Sequence, residues 1–370
     1  AGVSDIAVAD WDGDGRPEIF LLSADERQVG VTRFDEKERV AFPELIPFDG
    51  KPLALAVGAL QPGAKPPLAV IVLGPNDRRV LVTRTAGGES HTQKLSANFK
   101  SNLATLLFHD VNQDGLTDLV ALVPYEKVKV LLQVAGKDFD EQDVAPPGGV
   151  VEQPWLSVAD VDGDGDVDIV TLASDQLTVF LNQGGARGTA EGVFKRNKPI
   201  LPPVKVPEGL GMMGSLTLGD LNNDGLPDGF AAGCCGISHP QLTSSGEYAK
   251  PFSWVWINRW DSKEWAVLDT QALPFLDGVP VAAAVFGDLD GDGVQDVYAA
   301  VRTPKPGRSS DPGDRVLLND GAGNLRDSGQ RLGAFDSTSA ALGDVDGDGD
   351  LDALVGTPRG AVVWLNQGEG

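Results

Sequence analysis

A nine-residue acidic loop, repeated six times along 370 residues, limits what this chain can fold into more than any other feature. Its clearest copy is Asp160-Val161-Asp162-Gly163-Asp164-Gly165-Asp166-Val167-Asp168, with carboxylates at positions 1, 3, 5 and 9 and glycine at position 6. A hard divalent cation such as Ca²⁺ takes about six to eight oxygens at roughly 2.3–2.6 Å, which one short curled loop can largely supply. Glycine at position 6 permits the positive φ that the curl demands, and position 7, here Asp166, offers its backbone carbonyl. The flanking apolar runs, Leu156–Ala159 and Ile169–Leu172, read as strands. An EF-hand would need a helix on each side and a glutamate at position 12. This loop instead joins two strands.

The other five copies keep the rule. They are Asp10, Asp12, Asp14, Arg16 and Glu18; Asp110, Asn112, Asp114, Leu116 and Asp118; Asp220, Asn222, Asp224, Leu226 and Asp228; Asp288, Asp290, Asp292, Val294 and Asp296; and Asp344, Asp346, Asp348, Asp350 and Asp352, at positions 1, 3, 5, 7 and 9. Six copies in register, each between apolar strands, favour about six Ca²⁺ sites over solvated Asp-Gly turns. The intervals between first aspartates are 100, 50, 60, 68 and 56 residues, so one repeat is hidden near residue 60. There the apolar runs Leu55–Leu60 and Pro67–Leu73 persist, but Gln61-Pro62-Gly63-Ala64-Lys65 replaces the acids. Seven repeats of about 50 residues, each holding several short strands, point to a propeller or array. The expected fold is all-β: one domain, a seven-bladed β-propeller of four-stranded antiparallel blades. The blades fall near 1–48, 49–100, 101–150, 151–208, 209–276, 277–336 and 337–370, the second without a metal loop and the last without its outer strand.

The formal charge of −24 looks like a statement about partners, but 22 ligand-position carboxylates account for most of it. Without them about −2 remains, and six Ca²⁺ bring the whole chain to about −12. Nucleic acid, which selects a basic stripe, is not an expected partner. No run of eighteen apolar residues exists, so membrane insertion is not expected either. The chain begins at Ala1 without a signal-like segment and reads as a processed piece. Weak calcium loops suit compartments rich in the ion, so an extracellular, cell-surface or periplasmic location is expected.

Third strands recur as Val29–Phe34, Val80–Arg84, Val128–Gln133, Leu177–Asn182, Trp254–Asn258, Val316–Asn319 and Val362–Asn366, and helical periodicity is absent. Phe286-Gly287-Asp288-Leu289-Asp290-Gly291-Asp292-Gly293 resembles the FG-GAP/VCBS repeat of integrin α-chain propellers and many secreted bacterial proteins. Leu317-Leu318-Asn319-Asp320-Gly321-Ala322-Gly323-Asn324-Leu325 resembles that family's turn between strands 3 and 4. The resemblance covers essentially the whole chain, with no metal carried onto the second repeat, and implies the architecture rather than one function. Such propellers serve as adhesion receptors, as sugar-binding lectins and as scaffolds of some polysaccharide lyases. The seventh blade ends just past its third strand, so a closing strand is expected from flanking sequence or from a partner.

Strand parity places the acidic loops on one face and the second-to-third-strand loops on the other. The largest of the latter are Gly233–Phe252 and Arg302–Asp314, in adjacent blades, and long unstructured loops tend to be functional or disordered. The first holds Cys234, Cys235, His239 and Tyr248. Adjacent Cα atoms lie about 3.8 Å apart, short of the roughly 4.4–6.8 Å a disulfide prefers, so Cys234–Cys235 reads as a strained vicinal disulfide, as two buried thiols, or as a metal or redox site. Trp254, Trp256, Trp260 and Trp265 follow. Trp254 and Trp256 share one strand face, either packed between blades or forming a stacking platform with His239 and Tyr248. His91, His109 and His239 lack zinc-type spacing, and no nucleophile elbow or phosphate loop appears. The expected function is non-enzymatic binding or adhesion, to a glycan or protein ligand or within a larger surface assembly. The alternative is a polysaccharide lyase, which would need a base and a charge-neutralising group in the central funnel.

Overall fold

The computed structural model describes residues 3, 5–34, 39–58, 65–96, 105–123, 128–144, 155–173, 176–184, 194–196, 213–233, 251–259, 267–302 and 313–368. Among these there is no α-helix. Two single turns of 3-10 helix, Pro75–Asp77 and Pro274–Leu276, punctuate an otherwise all-strand chain.

The strands form seven antiparallel sheets in sequence order. The first blade is β1 (Asp5–Ala9), β2 (Glu18–Ser23), β3 (Gln28–Thr32) and β4 (Glu44–Ile46). The second is β5 (Lys51–Val57), β6 (Leu68–Leu73), β7 (Arg79–Arg84) and β8 (Ser90–Lys94). The third is β9 (Thr105–His109), β10 (Asp118–Leu122), β11 (Val128–Leu132) and β12 (Asp140–Asp143). The fourth is β13 (Trp155–Ala159), β14 (Asp168–Ala173), β15 (Gln176–Asn182) and β16 (Phe194–Arg196). The fifth is β17 (Met213–Gly219), β18 (Asp228–Gly233), β19 (Trp254–Asn258) and β20 (Val267–Ala272). The sixth is β21 (Val281–Gly287), β22 (Asp296–Val301), β23 (Arg315–Asn319) and β24 (Leu325–Asp327). The seventh has three strands, β25 (Ser339–Gly343), β26 (Asp352–Thr357) and β27 (Gly360–Trp364). Seven such meanders are the blades of a seven-bladed β-propeller, and the second repeat, without the acidic loop, builds a blade like the others.

Position within a blade explains strand composition. In the second, third, fifth and sixth blades the second strand lies between two neighbours and is covered on both faces; in two of them it reads as the continuous apolar runs Leu68-Ala69-Val70-Ile71-Val72 and Leu119-Val120-Ala121-Leu122. The first strands alternate, with β1 partly buried and exposed by turns. The chain divides into two compact units, 1–154 with 182–195, and 155–181 with 196–370. In the first unit, Phe20, Leu22 and Val29 pack against Leu55, Leu68 and Val70, and Ala69, Ile71 and Leu81 pack against Leu106, Leu119 and Leu131. In the second, Phe230, Val255 and Ile257 meet Val297, Ala299 and Leu317, and Tyr298, Ala300 and Val316 meet Ala353 and Val355.

Glycine at the end of β17 permits one such approach. A Cβ on Gly219 would come 2.2 Å from a ring carbon of Phe286 in the next blade. The aromatic-glycine pair at the end of a first strand is therefore a packing device, one blade's ring filling the space its neighbour's glycine leaves.

Candidate metal centres

Each acidic loop is clamped at its ends by the same register: Ala9 pairs with Glu18, His109 with Asp118, Ala159 with Asp168, Gly219 with Asp228, Gly287 with Asp296 and Gly343 with Asp352. Eight residues between paired strand ends must then curl, and two backbone positions take the strain. Glycine at position 6 has φ of 85–99° in all six loops. Position 4 is also left-handed, as Gly13, Gly163, Gly291 and Gly347, but also as Gln113 (φ 52°) and Asn223 (φ 57°). The acid pattern draws attention to position 6 alone, although the glycine, asparagine and glutamine at position 4 carry a signal of their own.

The side chains fold inward onto the loop's own amides. Position 1 accepts through one oxygen from the N–H of residue 4 or 5, as in Gly163 to Asp160 at 2.8 Å, and through the other from glycine 6, as in Gly165 to Asp160 at 2.9 Å. Position 5 accepts from the N–H of position 7, for example Leu226 to Asp224 at 2.9 Å and Val294 to Asp292 at 2.9 Å. Position 9 does a different job. Asp296 accepts from Leu289 N–H at 3.0 Å and from Asn319 N–H, at the end of β23, at 2.8 Å. Asp118, Asp228 and Asp352 do likewise. This last carboxylate ties the loop to its own third strand, a role that spacing alone does not reveal.

The third strand also reaches the preceding blade. In the second unit, the side-chain amides of Asn258, Asn319 and Asn366 donate to the position-2 carbonyls of Val161, Leu221 and Leu289 at 2.7, 2.7 and 2.8 Å. Loop and sheet thus form one hydrogen-bonded frame around the acids.

Carboxylate oxygens within 4.8 Å of one another gather at Asp10, Asp12 and Glu18; at Asp160, Asp162 and Asp164; at Asp288, Asp290 and Asp296; and at Asp344, Asp346 and Asp348. In the third and fifth blades' loops, Asn112 and Asn222 stand at position 3 and turn their amide NH₂ toward Asp114 and Asp224 at 3.2 and 3.0 Å. Without a cation, burial and then the like charges of Asp114 and Asp110 push Asp118 up to about 7. Burial pushes Asp228 up to about 6, and burial with the adjacent Asp164 does the same to Asp162. Asp166, Asp296 and Asp346 are raised too, with burial first and like charges after it. One Glu18 oxygen is buried without a hydrogen-bond donor. Acidic oxygens held this close, some of them raised by burial, suit a hard divalent cation, which favours the ionised form.

The remaining candidates divide. Trp254 and Trp256 lie on one face of β19, as their spacing predicts, but both rings are fully buried with Val179, Leu216 and Ala231. A stacking platform is therefore corrected to core packing: the middle of a stacked blade leaves no exposed ring face. Cys234, Cys235, His239, Tyr248, Trp260 and Trp265 lie outside the described residues. The bases of the two insertions are firm. Gly233 N–H donates to the buried Ser253 hydroxyl at 3.0 Å, and Asp314 accepts from Val301 N–H, Tyr298 Oη and Ser337 Oγ at 2.7, 2.8 and 3.1 Å. His109 is half-buried beside its loop, 3.4 Å from the Asp110 carbonyl oxygen. No helix among the described residues is long and apolar enough to cross a membrane.

The FG-GAP-like repeat model matches residues 110–171, 160–231 and 288–355, just over half of the chain. No curated protein matches the sequence significantly. Among solved structures, an Agrocybe aegerita lectin, described by its recognition of non-reducing terminal N-acetylglucosamine, is 18% identical with a TM-score of 0.56, over 100% of this chain and 87% of the lectin. BBS1N, solved in complex with ARL6DN, is 13% identical with a TM-score of 0.53, over 98% of this chain and 92% of its own. At these identities the likeness is one of fold.

Proposed function

The chain belongs to the FG-GAP-like repeat family, and from that premise we propose that it is a calcium-stabilised propeller that works as a non-enzymatic binding module, for glycan or protein, outside the cytoplasm. The observation that carries this reading is the state of the acidic loops. Carboxylate oxygens gather within 4.8 Å of one another in four of the loops, and burial raises Asp118, Asp162 and Asp228 above the usual carboxylate range. Asp160, Asp162, Asp164 and Asp168, and their counterparts, would hold Ca²⁺, which supplies the positive charge that fixes the turn between first and second strands. Because the unfolded chain has no assembled loops, calcium binding adds to folding stability. FG-GAP repeats are typical of extracellular proteins, where that ion is abundant.

The ligand face is the one carrying the insertions of the fifth and sixth blades. Rigid loop bases at Ser253 and Asp314 support it, since a binding loop is more selective when its ends are fixed. Recognition is what the two structural neighbours have in common: one binds a sugar terminus and the other a protein. A glycan array and a pull-down in millimolar Ca²⁺ test the reading, each with a chelator arm and a His239→Ala, Tyr248→Ala variant. A calcium-dependent ligand lost in the variant supports it. Release of unsaturated products from a uronic-acid polymer, with no retained ligand, would replace it with a lyase.

A further inference from the structure

The first loop differs from the other five in the charges that surround it. The Arg33 guanidinium lies 3.5 Å from Asp12, 3.4 Å from Asp14 and 3.6 Å from Glu18, facing three of the four ligand-position acids at once. It reaches them from the residue after Thr32, which pairs with Ile19. The same step in the other metal-loop blades gives Leu132, Leu181, Ile257, Leu318 and Leu365. A second cation arrives from the second blade: the Lys65 ammonium donates to the carbonyl oxygen of Asp12. Its side chain lies so close over the loop that a Cβ on Gly13 would come within 2.9 Å of Lys65 Cε. Lys65 belongs to the repeat whose loop between first and second strands has no acids. A third positive residue, Arg16, fills position 7, where the other loops carry Leu, Val or Asp.

We propose that Arg33 and Lys65 are the built-in counter-ions of the first loop, so that this loop keeps its turn without calcium and is the weakest calcium site of the six. The inference rests on calcium binding at the other loops. In the first loop the four acids Asp10, Asp12, Asp14 and Glu18 have Arg33 and Lys65 against them and Arg16 within the loop. Among the described ion pairs no cation joins the three ligand-position acids of the third or the fifth blade's loop, and neither loop carries a basic residue of its own. The buried Glu18 oxygen that lacks a hydrogen-bond donor has Arg33 as its charge partner. Calcium must compete there with a guanidinium tethered to the fold, present at high effective concentration. Two opposing charges in a half-exposed site weaken binding roughly tenfold or more.

Equilibrium dialysis and titration calorimetry of the full chain with Ca²⁺ alone test this. The unaltered chain should show five sites filling before a sixth that is roughly tenfold or more weaker. Arg33→Leu combined with Lys65→Ala should bring the sixth into the range of the others. Six equivalent sites in the unaltered chain overturn the proposal and leave the calcium reading intact; that count needs no variant. A chain that binds no calcium at any loop overturns both. A folded double variant, verified by its melt, whose sixth site stays weak also overturns the role given to Arg33 and Lys65.

Discussion

The first and sixth blades close the same turn in two ways. Each starts from an Asp at position 1, a glycine at position 6 with φ of 87°, and a buried acid at position 9. In the sixth, Asp296 spends both oxygens on backbone amides and no cationic side chain pairs with Asp288, Asp290 or Asp292 among the described ion pairs. In the first, Glu18 binds one amide, that of Trp11 at 2.9 Å, and its other oxygen faces Arg33. The acid pattern therefore specifies the turn, while residues outside the pattern decide which positive charge completes it. One blade carries a counter-ion in the chain; on the proposed reading the other takes it from solution.

Removing calcium should break the comparison most visibly. Each strong loop filled at about a hundred times its dissociation constant contributes about 2.7 kcal/mol, so chelation should lower the main thermal midpoint by on the order of 10 °C or more. Hydrogen exchange should show the loss concentrated at residues 288–296 and their counterparts, with residues 10–18 changed least. A melt that is the same with and without chelator would remove calcium from the account of stability altogether.

A second test separates the carboxylate's two duties. Asp296→Ala leaves the amides of Leu289 and Asn319 buried without acceptors, at a cost of roughly 1–3 kcal/mol each. Denaturant unfolding in chelator should register most of that loss, since it does not depend on the ion. Glu18→Ala orphans one amide rather than two, so it should cost less. If Asp296→Ala is silent without calcium, position 9 is a ligand only, and its place in the hydrogen-bonded frame is unimportant.

The loops, the hidden second repeat and the third strands were readable in the sequence because each has a local cause. Carboxylate spacing sets the loop, apolar runs set the middle strands, and Asn258 and Asn319 end β19 and β23 while Asn366 falls just past β27. What could not be read depends on distance in the chain. Arg33 and Lys65 are ordinary basic residues until folding brings them to Asp12. Trp254 and Trp256 have a spacing that fits a binding platform and a core equally well, and only the burial of β19 between neighbours decides for the core. Cys234, Cys235 and Tyr248 sit in an insertion with no repeat to compare against.

Acidity should act on calcium-free and calcium-loaded protein in opposite directions. Without calcium, Asp118 rises from 3.8 to about 7 and Asp228 and Asp162 to about 6 in the folded chain, chiefly through burial. Asp5, outside any loop, rises to about 6 by burial as well. The folded state then binds more protons than the unfolded state between about pH 4 and 7, so stability falls as pH rises through that window. Calcium-free protein should accordingly gain stability on acidification from pH 7 to 5, while calcium-loaded protein should lose it as protons displace the ion. Urea midpoints across that range, in dialysed and calcium-loaded samples, check both signs; parallel curves would mean that the loops do not exchange protons for calcium.

The smallest effect tests the backbone alone. Four loops place glycine at position 4, whereas the third blade's loop puts Gln113 there at φ 52°. A side chain in the left-handed region costs up to about 1 kcal/mol relative to glycine, partly offset by glycine's greater freedom in the unfolded chain. Gln113→Gly should therefore raise stability by a few tenths to about 1 kcal/mol, with or without calcium, because it acts through the backbone conformation. The reverse change in the sixth blade's loop, Gly291→Ala at φ 76°, should destabilise by about 1–2 kcal/mol. A Gln113→Gly effect that appears only with calcium would show instead that the turn is shaped by the ion rather than by the chain, and would weaken the claim that the first loop can hold its form with internal charges.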